Sequence, residues 1–335
     1  MPDAEDPHGP DRRLAPDVPA PELTLRAQAS VASPMIGVGG AVNAGTAVPI
    51  PAKPKAPLDG MRSSARELDE ICDTVPASTT LDAFLGGAIY LRQPKRGYRA
   101  GTDAVLLAAA VGHQSRRDGA SPVRLIDVGA GVGAVGLLAA TRLAQLDVTL
   151  LERDRSCCEL ANANIEAASL DRRARVIRDD VAAPILAGQP ELPENGFDVA
   201  VSNPPFYSAN DHRRSPEALK AGAHALPEAG LDLWLRFMAR MTRSGGTLLL
   251  IYPADRLPAL LCAVMPRFGS IVVQPLHARA GEPAHRVIVR AIKGSRGPAC
   301  LAPGLVVHGP DHRFMPDIDC VLKSPAPLPG RLATE

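Results

Sequence analysis

Apolar runs that lack a two-residue alternation most strongly constrain the fold of this chain. The clearest are Val123–Val128, Val148–Leu151, Arg175–Ile177, Val199–Val201 and Thr247–Tyr252. Strands that are apolar on both faces are typical of a parallel sheet covered by helices on both sides. Helical patterns alternate with these runs at Asp103–Val111, Val132–Leu143, Ser156–Ala168, Leu231–Met241 and Asp255–Val264. This order predicts an α/β fold with a doubly wound, mostly parallel sheet.

A different pattern follows near the C-terminus. Ile271–Val273 and Arg286–Ile292 are predicted strands with no helical length between them, so they can pair antiparallel. With the five runs above, they predict a seven-stranded sheet that contains one antiparallel strand. Leu305–His308 is a candidate edge strand, and Ala88–Leu91 is a predicted short strand ahead of the main series.

The first 78 residues differ in composition from the rest. The chain has 33 prolines, and they are frequent in this segment, where no helical or strand period is visible. Such a segment is typical of a disordered tail, within which Arg62–Cys72 is either a short helix or frayed. We therefore predict a disordered tail at 1–78, one folded domain at 79–325 and a flexible C-terminus at 326–335.

Composition limits the class of protein. Of the 335 residues, 46% are hydrophobic and 22% are charged, as expected for a soluble globular protein. No apolar run reaches membrane-spanning length, and the acidic, proline-containing start is unlike a signal peptide. The 6 cysteines include no C-x-x-C pair, and no cluster of metal ligands is visible. We expect a cytoplasmic protein with reduced thiols and no metal; the oligomeric state stays open, with a monomer assumed.

A glycine-rich segment, Asp127–Gly133, joins the first main strand to the next helix. Glycines let this turn approach a ligand closely, and the amides at the helix start can hydrogen-bond it. Glu152, about 20 residues further on, ends the next strand, where a carboxylate can accept the hydroxyls of a ribose. A nucleoside-containing cofactor is the hypothesis; a turn without a ligand is the alternative.

The same segment also matches a dinucleotide-binding pattern. Gly131–Gly136 has the form G-x-G-x-x-G, which keeps a nicotinamide-dependent dehydrogenase open as an alternative. Asp127 argues against it, because an anion beside a pyrophosphate is unfavourable, whereas a cationic cofactor would suit it. Asp179 and Asp180 follow the third strand, and one of them could accept a hydrogen bond from an adenine amino group. Asp180 is preferred; a solvated loop acid or a helix cap is the alternative.

The turn Asn203–Phe206 ends the strand Val199–Val201. Asn203 offers a side-chain carbonyl and Pro204 a backbone carbonyl whose direction is fixed by its ring. These acceptors could hold the hydrogens of an exocyclic amine, and Phe206 could stack on the base that carries it, for roughly 1–3 kcal/mol. A proline-rich turn that merely closes a buried strand is the alternative reading.

These motifs together carry a family resemblance. Asp127-x-Gly-x-Gly-x-Gly, Glu152, Asp180 and Asn203-Pro-Pro-Phe, in this order, resemble the class I S-adenosylmethionine-dependent methyltransferases. The Asn-Pro-Pro-aromatic form is similar to the branch that methylates amino groups of adenine, guanine or glutamine. The segments Gln93–Leu107, His285–Val287 and Val307–Asp311 further resemble the bacterial tRNA(Val) adenine-N6 methyltransferases, over roughly residues 80–322.

The resemblance implies a role for each matching position. The cofactor-binding residues would be Thr102, Asp103, Asp127, Gly129, Gly131, Gly133, Glu152, Asp180 and Asn203. The catalytic set would be Asn203, Pro204, Pro205 and Phe206. The glycine loop would hold the methionine end of S-adenosylmethionine, Glu152 its ribose and Asp180 its adenine. Asn203 and Pro204 would orient the target amine for direct methyl transfer, without a strong base.

The implied partner is RNA, most plainly a tRNA. Basic residues that could contact phosphates, or simply be solvated, are Arg213, Arg214, Lys220, Arg279, His285, Arg286, Arg290, Lys293 and Arg296. Guanine-N2 methylation of ribosomal RNA and glutamine-N5 methylation of a protein remain alternatives. A non-catalytic cofactor-binding scaffold is a more distant one.

Overall fold

A nine-stranded sheet lies at the centre of the computed structural model, which describes residues 78–97, 99–112, 121–182, 192–205, 228–330 and 332. These residues all belong to one unit, Pro57–Glu335; the other unit, Met1–Ala56, lies outside the described residues. The predicted tail, apart from its last residue, and the candidate helix Arg62–Cys72 also lie outside them.

Two strands form an antiparallel hairpin that is separate from the main sheet. They are β1 (Thr79–Phe84) and β2 (Ile89–Pro94), joined by a short 3-10 turn at Leu85–Gly87. The sequence predicted only the second of these strands. The residues of β1 are mostly half-buried. Its sequence therefore has no sustained alternation of apolar and polar residues that would predict a strand.

The main sheet contains the strands that follow. They are β3 (Val123–Val128), β4 (Leu146–Glu152), β5 (Ala174–Arg178), β6 (Phe197–Ser202), β7 (Thr242–Pro253), β8 (Phe268–His277), β9 (Ala284–Lys293), β10 (Cys300–Leu301) and β11 (Leu305–Val306). Their order is β10-β8-β9-β7-β6-β3-β4-β5, with β11 also beside β8. β9 runs antiparallel to β7 and β8, and the other pairs are parallel.

The predicted α/β fold with one antiparallel strand is therefore confirmed. The sheet is wider than the predicted seven strands because β10 and β11 add to its β8 edge. β10 has only two residues, which is too short for any period to be read from the sequence, whereas β11 lies within the predicted edge strand Leu305–His308.

Helices cover both faces of the sheet. They are α1 (Thr102–Ala110), α2 (Ala134–Arg142), α3 (Arg155–Ala167), α4 (Glu228–Met241), α5 (Leu257–Val264) and α6 (Pro316–Lys323). Neighbouring side chains of β3 separate into two apolar clusters, since successive residues of a strand point to opposite faces. Leu125 packs with residues of α1, α2, α3 and α6, whereas Ile126 packs with residues of α4 and α5. Both faces are thus buried, as the unbroken apolar strands predicted.

The chain near its end also contributes to the core. Leu328 and Leu332 are buried, and the Leu328 N–H donates to the carbonyl oxygen of Ala109 at the end of α1. Among the described residues, no helix is both long and apolar enough to cross a membrane.

Candidate functional site

The carboxyl edge of the sheet, where β3, β4, β6 and β8 end and β9 begins, brings the sequence motifs together. Asp127 of β3 lies opposite Val201 of the parallel strand β6, so the loops that follow these strands start side by side. The strand order reverses at this point, because β4 lies on the other side of β3. Such a switch point in a parallel sheet opens a crevice in which ligands bind.

A buried hydrogen-bond chain fixes the ends of β3 and β6 to each other. The Ser202 hydroxyl donates to the carbonyl oxygen of Val128 over 2.7 Å. The indole N–H of Trp234, on α4, donates to the same hydroxyl oxygen over 3.0 Å. The relative position of the two loops is therefore set by the protein itself.

The glycines of the loop after β3 are required for different reasons. Gly129, Gly131 and Gly133 all have positive φ angles, of 72°, 58° and 87°. A Cβ atom on Gly129 would lie 2.6 Å from the Trp234 ring, and one on Gly133 would lie 2.7 Å from a methyl of Leu150. A Cβ atom on Gly131 would meet nothing within 4 Å. The loop is thus packed at both ends and open at its middle glycine, where a ligand can approach the backbone.

Glu152 at the end of β4 reaches this open glycine. One carboxylate oxygen accepts a hydrogen bond from the Gly131 N–H over 2.9 Å. The other accepts from the backbone N–H groups of Arg153 and Asp154, over 2.8 and 2.9 Å. The carboxylate therefore has a fixed direction beside the loop, although 21 residues separate it from Gly131.

Asp127 lies beneath the loop. Its side chain is buried, and one oxygen accepts a hydrogen bond from the N–H of Gly136 in the first turn of α2, over 2.9 Å. Burial raises the pKa of this carboxyl from 3.8 to about 7; the Gly136 hydrogen bond opposes the change, and the charge of Glu152 adds to it. Asp127 thus joins the end of β3 to the start of α2.

The two acids after β5 have different contacts. Asp180 forms an ion pair with Arg153 over 3.4 Å and accepts a hydrogen bond from the N–H of Ala182. Asp179 accepts one from the N–H of Asp180, and its own N–H donates to the carbonyl oxygen of Glu152. Asp180 therefore lies near the end of β4, within the same edge of the sheet.

Thr102 and Asp103 begin α1, and two contacts locate this helix start. Asp103 accepts a hydrogen bond from the guanidinium of Arg286 at the start of β9, over 2.9 Å. Ahead of the helix, the buried side chain of Gln93 accepts from the N–H of Ala100 over 2.7 Å. Because Arg286 lies at the carboxyl edge, α1 also begins there.

The turn Asn203–Phe206, the predicted catalytic set, is described only in part. Pro204 is buried and Asn203 and Pro205 are partly buried, directly after β6. Phe206 lies outside the described residues, as do Tyr207, Arg213, Arg214 and Lys220.

The basic residues near the C-terminus separate into two groups. Arg279 and Arg286 lie at the carboxyl edge, beyond the end of β8 and at the start of β9. Lys293 ends β9 at the opposite edge, where its ammonium donates to the carbonyl oxygen of Thr242 over 2.7 Å. Arg296 follows it there, and Arg290 is buried within β9. These side chains therefore do not form one continuous surface.

Sequence reasoning missed Asn164, which supports the loop from α3. Its fully buried side-chain amide donates to the carbonyl oxygens of Val132 and Arg92, over 3.0 and 3.1 Å. Its carbonyl oxygen accepts from the Arg92 N–H over 2.7 Å. The available signal was a polar residue on the apolar face of α3, next to the buried Ile165.

Comparisons with known proteins find methyltransferases, the class that the sequence motifs resemble. A sequence model of the methyltransferase small domain matches residues 108–240. The tRNA1(Val) (adenine(37)-N6)-methyltransferase of Porphyromonas gingivalis is 32% identical over 162 residues, which are 48% of this chain and 61% of that protein. The protein of the same name from Aeromonas hydrophila is 27% identical over 220 residues, which are 64% of this chain and 85% of that protein.

One solved structure is similar to this chain over nearly the whole length of the solved protein. Atu636 of Agrobacterium tumefaciens, described as a predicted O-methyltransferase, is 30% identical with a TM-score of 0.55. The match covers 67% of this chain and 97% of that one. The fold and its comparisons define an S-adenosylmethionine-dependent methyltransferase of class I. Residues 108–240 match the methyltransferase small domain, and the fold implies S-adenosylmethionine as the methyl donor.

Proposed function

We propose that this protein methylates the N6 amino group of an adenine in a tRNA. One observation carries the proposal: Asn203–Pro205 starts directly beside the glycine loop, because Asp127 and Val201 lie opposite each other in β3 and β6. Acceptors for an amine then adjoin a loop suited to the methyl donor. The names of the curated relatives from P. gingivalis and A. hydrophila support adenine in tRNA as the target.

The residues at the carboxyl edge fit S-adenosylmethionine. The open side of Gly131 leaves room for a ligand, and the Glu152 carboxylate beside it has the acceptor chemistry that a ribose requires. Asp180 would accept from the adenine amino group, and Thr102 and Asp103 would line the other side. Asp127 would act from below the loop through its charge, since its oxygen already binds the Gly136 N–H.

When bound, S-adenosylmethionine supplies a methyl group on a positively charged sulfur. The chain's part is to hold the target nitrogen in line with that group. The Asn203 side chain and the Pro204 carbonyl oxygen would accept the two amine hydrogens, which directs the nitrogen lone pair towards the methyl. Phe206 would stack on the base. The nitrogen becomes more acidic after transfer and loses its proton to water, so no strong base is needed.

Nucleoside mass spectrometry of tRNA and ribosomal RNA tests this function. Cells without the protein should lack N6-methyladenosine in one tRNA, and the purified protein should restore it with S-adenosylmethionine. Loss of a methylguanosine or of a 2′-O-methyl nucleoside, with N6-methyladenosine unchanged, would contradict adenine-N6 as the target. Methylation of tRNA would place the protein in the cytoplasm.

The Asn203→Ala variant tests the mechanism. Removing one preorganised polar contact of this kind lowers the rate of transfer by about 100- to 1000-fold. Binding of S-adenosylmethionine, measured by calorimetry, should change far less than the rate. Transfer at the wild-type rate by Asn203→Ala would contradict the proposed role of the turn.

A further inference from the structure

A short hairpin beyond β11 presents a stacked aromatic pair. His308 and Phe314 lie opposite each other in an antiparallel bridge. Hydrogen bonds on both sides of the bridge, from Gly309 N–H to Arg313 O and from Met315 N–H to Val307 O, are 2.8 and 2.9 Å long. The His308 and Phe314 rings stack with centroids 4.8 Å apart and planes 27° from parallel. The backbone thus holds the pair rigid.

Phe314 is exposed, whereas three other phenylalanines that the structure describes are buried in the core. Its exposed fraction is 37%, compared with 0% for Phe197, 4% for Phe237 and 3% for Phe268. A large apolar side chain that is both exposed and rigid offers a flat surface at little entropic cost. Such a face is suited to a planar ligand.

The hairpin is attached at the carboxyl edge of the sheet. The N–H groups of Val307 and His308 donate to the carbonyl oxygens of His277 and Ala278, at and just beyond the end of β8. β8 and β6 run in the same direction with β9 and β7 between them. The hairpin continues β11, on the far side of β8, so four strand spacings, about 19 Å, separate it from β6, and the aromatic pair lies to one side of the turn at Asn203.

Two guanidinium groups lie at the loop of the same hairpin. Arg279 contacts the Nδ1 atom of His312 over 2.6 Å and Glu282 over 3.5 Å. Arg313 is exposed over 88% of its side chain and lies 3.7 Å from Asp311. A guanidinium has five N–H donors, more than these contacts use. An aromatic face in a hairpin that also carries guanidinium groups matches the base and phosphates of a nucleotide.

We propose that the His308–Phe314 pair is a stacking platform for an unpaired base of the RNA substrate, close in the strand to the target adenine. Arg279 and Arg313 contact the phosphates beside that base. The inference rests on the proposed function, because it assumes that the substrate at the catalytic turn is RNA. It adds a second contact, which selects an RNA with single-stranded nucleotides around the target.

Binding of an unmodified anticodon stem-loop RNA of tRNA(Val) tests the platform. A 2-aminopurine replaces each loop nucleotide in turn, and fluorescence quenching reports stacking while anisotropy reports the Kd. With the full-length protein, at least one position should be quenched. Phe314→Ala should abolish that quenching and raise the Kd by about 5- to 150-fold, whereas Phe314→Tyr should stay within about two-fold of wild type.

Met265→Ala serves as the matched control. Met265 is also an exposed apolar side chain, with 64% exposed, but it lies just before β8 at the opposite edge of the sheet. Its removal should leave the Kd for RNA and the quenching unchanged. Calorimetric binding of S-adenosylmethionine should be equal in all three variants, which separates the platform from the cofactor site.

The results distinguish this inference from the proposed function. Equal Kd and quenching in Phe314→Ala and wild type would overturn the platform, while methylation of the RNA by both would leave the function standing. A wild-type protein that binds the RNA and shows the Phe314 effect, yet transfers methyl to another substrate, would keep the platform and overturn the function. A wild-type protein that does not bind the RNA would overturn both.

Discussion

Gly131→Ala separates the cofactor role of the glycine loop from its role in stability. Gly131 has a φ of 58°, a conformation that costs a residue with a Cβ roughly 1–2 kcal/mol. The added methyl meets no protein atom within 4 Å, so no packing cost is expected beyond this. The methyl would, however, fill the space through which a ligand approaches the loop. We expect a decrease in the free energy of unfolding of about 1–2 kcal/mol and a loss of S-adenosylmethionine affinity of at least about ten-fold.

Gly245 provides a matched control for backbone strain. It also has a positive φ, of 73°, and an added Cβ would lie at an ordinary 3.6 Å from Arg243. It is near the start of β7, at the edge of the sheet away from Gly131. Gly245→Ala should therefore lose a similar amount of stability and no affinity. Urea unfolding and calorimetric titration with S-adenosylmethionine measure the two quantities. Equal affinity in Gly131→Ala and Gly245→Ala would refute the placement of the cofactor over Gly131.

Two further predictions concern the groups beneath and behind the loop. Asn164→Asp removes the N–H donors to the buried carbonyl oxygens of Val132 and Arg92. The free energy of unfolding, measured in urea, should therefore fall by about 2–6 kcal/mol. A loss below about 1 kcal/mol would contradict this. The pKa of Asp127 is raised from 3.8 to about 7 by burial, so in this range the folded protein holds a proton that the unfolded chain has released. Stability should therefore fall, by up to roughly 4 kcal/mol, as the pH rises from about 4 to 7, and then level off. Asp127→Asn should remove this part of the pH dependence; equal slopes in the variant and wild type would contradict it.

The sequence predicted those parts of the fold that repeat along the chain. Unbroken apolar runs such as Val123–Val128 identified strands buried on both faces, and the missing helix between the last two long strands identified the antiparallel one. β1 and α6 were not predicted because each is short and only partly buried, so neither contains an unbroken apolar run. β10 exists through its pairing with β8 rather than through a local pattern, whereas β11 lies within the predicted edge strand Leu305–His308.

In the site, too, residues with a local sequence signal were predicted, whereas contacts between distant segments were not. Local chemistry predicted Asp127, Glu152 and Asn203 as candidates, because acids, glycines and prolines follow the strands at the edge where a parallel sheet opens a crevice. The contact between Asp103 and Arg286 spans 183 residues, so it depends on how α1 and β9 meet and could not be read from either segment. Asn164 was missed for the same reason, since its partners on β2 and in the glycine loop are brought to α3 by the fold.

The glycine loop is held from three separate elements before any ligand binds. Glu152 at the end of β4 binds the Gly131 N–H, Asn164 of α3 binds the Val132 carbonyl oxygen, and Trp234 of α4 packs against Gly129. A loop fixed in this way loses little conformational freedom when a ligand arrives, so more of the contact energy appears as affinity. The proposed function assigns these contacts to the methyl donor, and they do not distinguish one methyl acceptor from another. Selection among acceptors must then come from elsewhere at the same edge, and the exposed pair of His308 and Phe314 is a rigid surface there that the cofactor does not require.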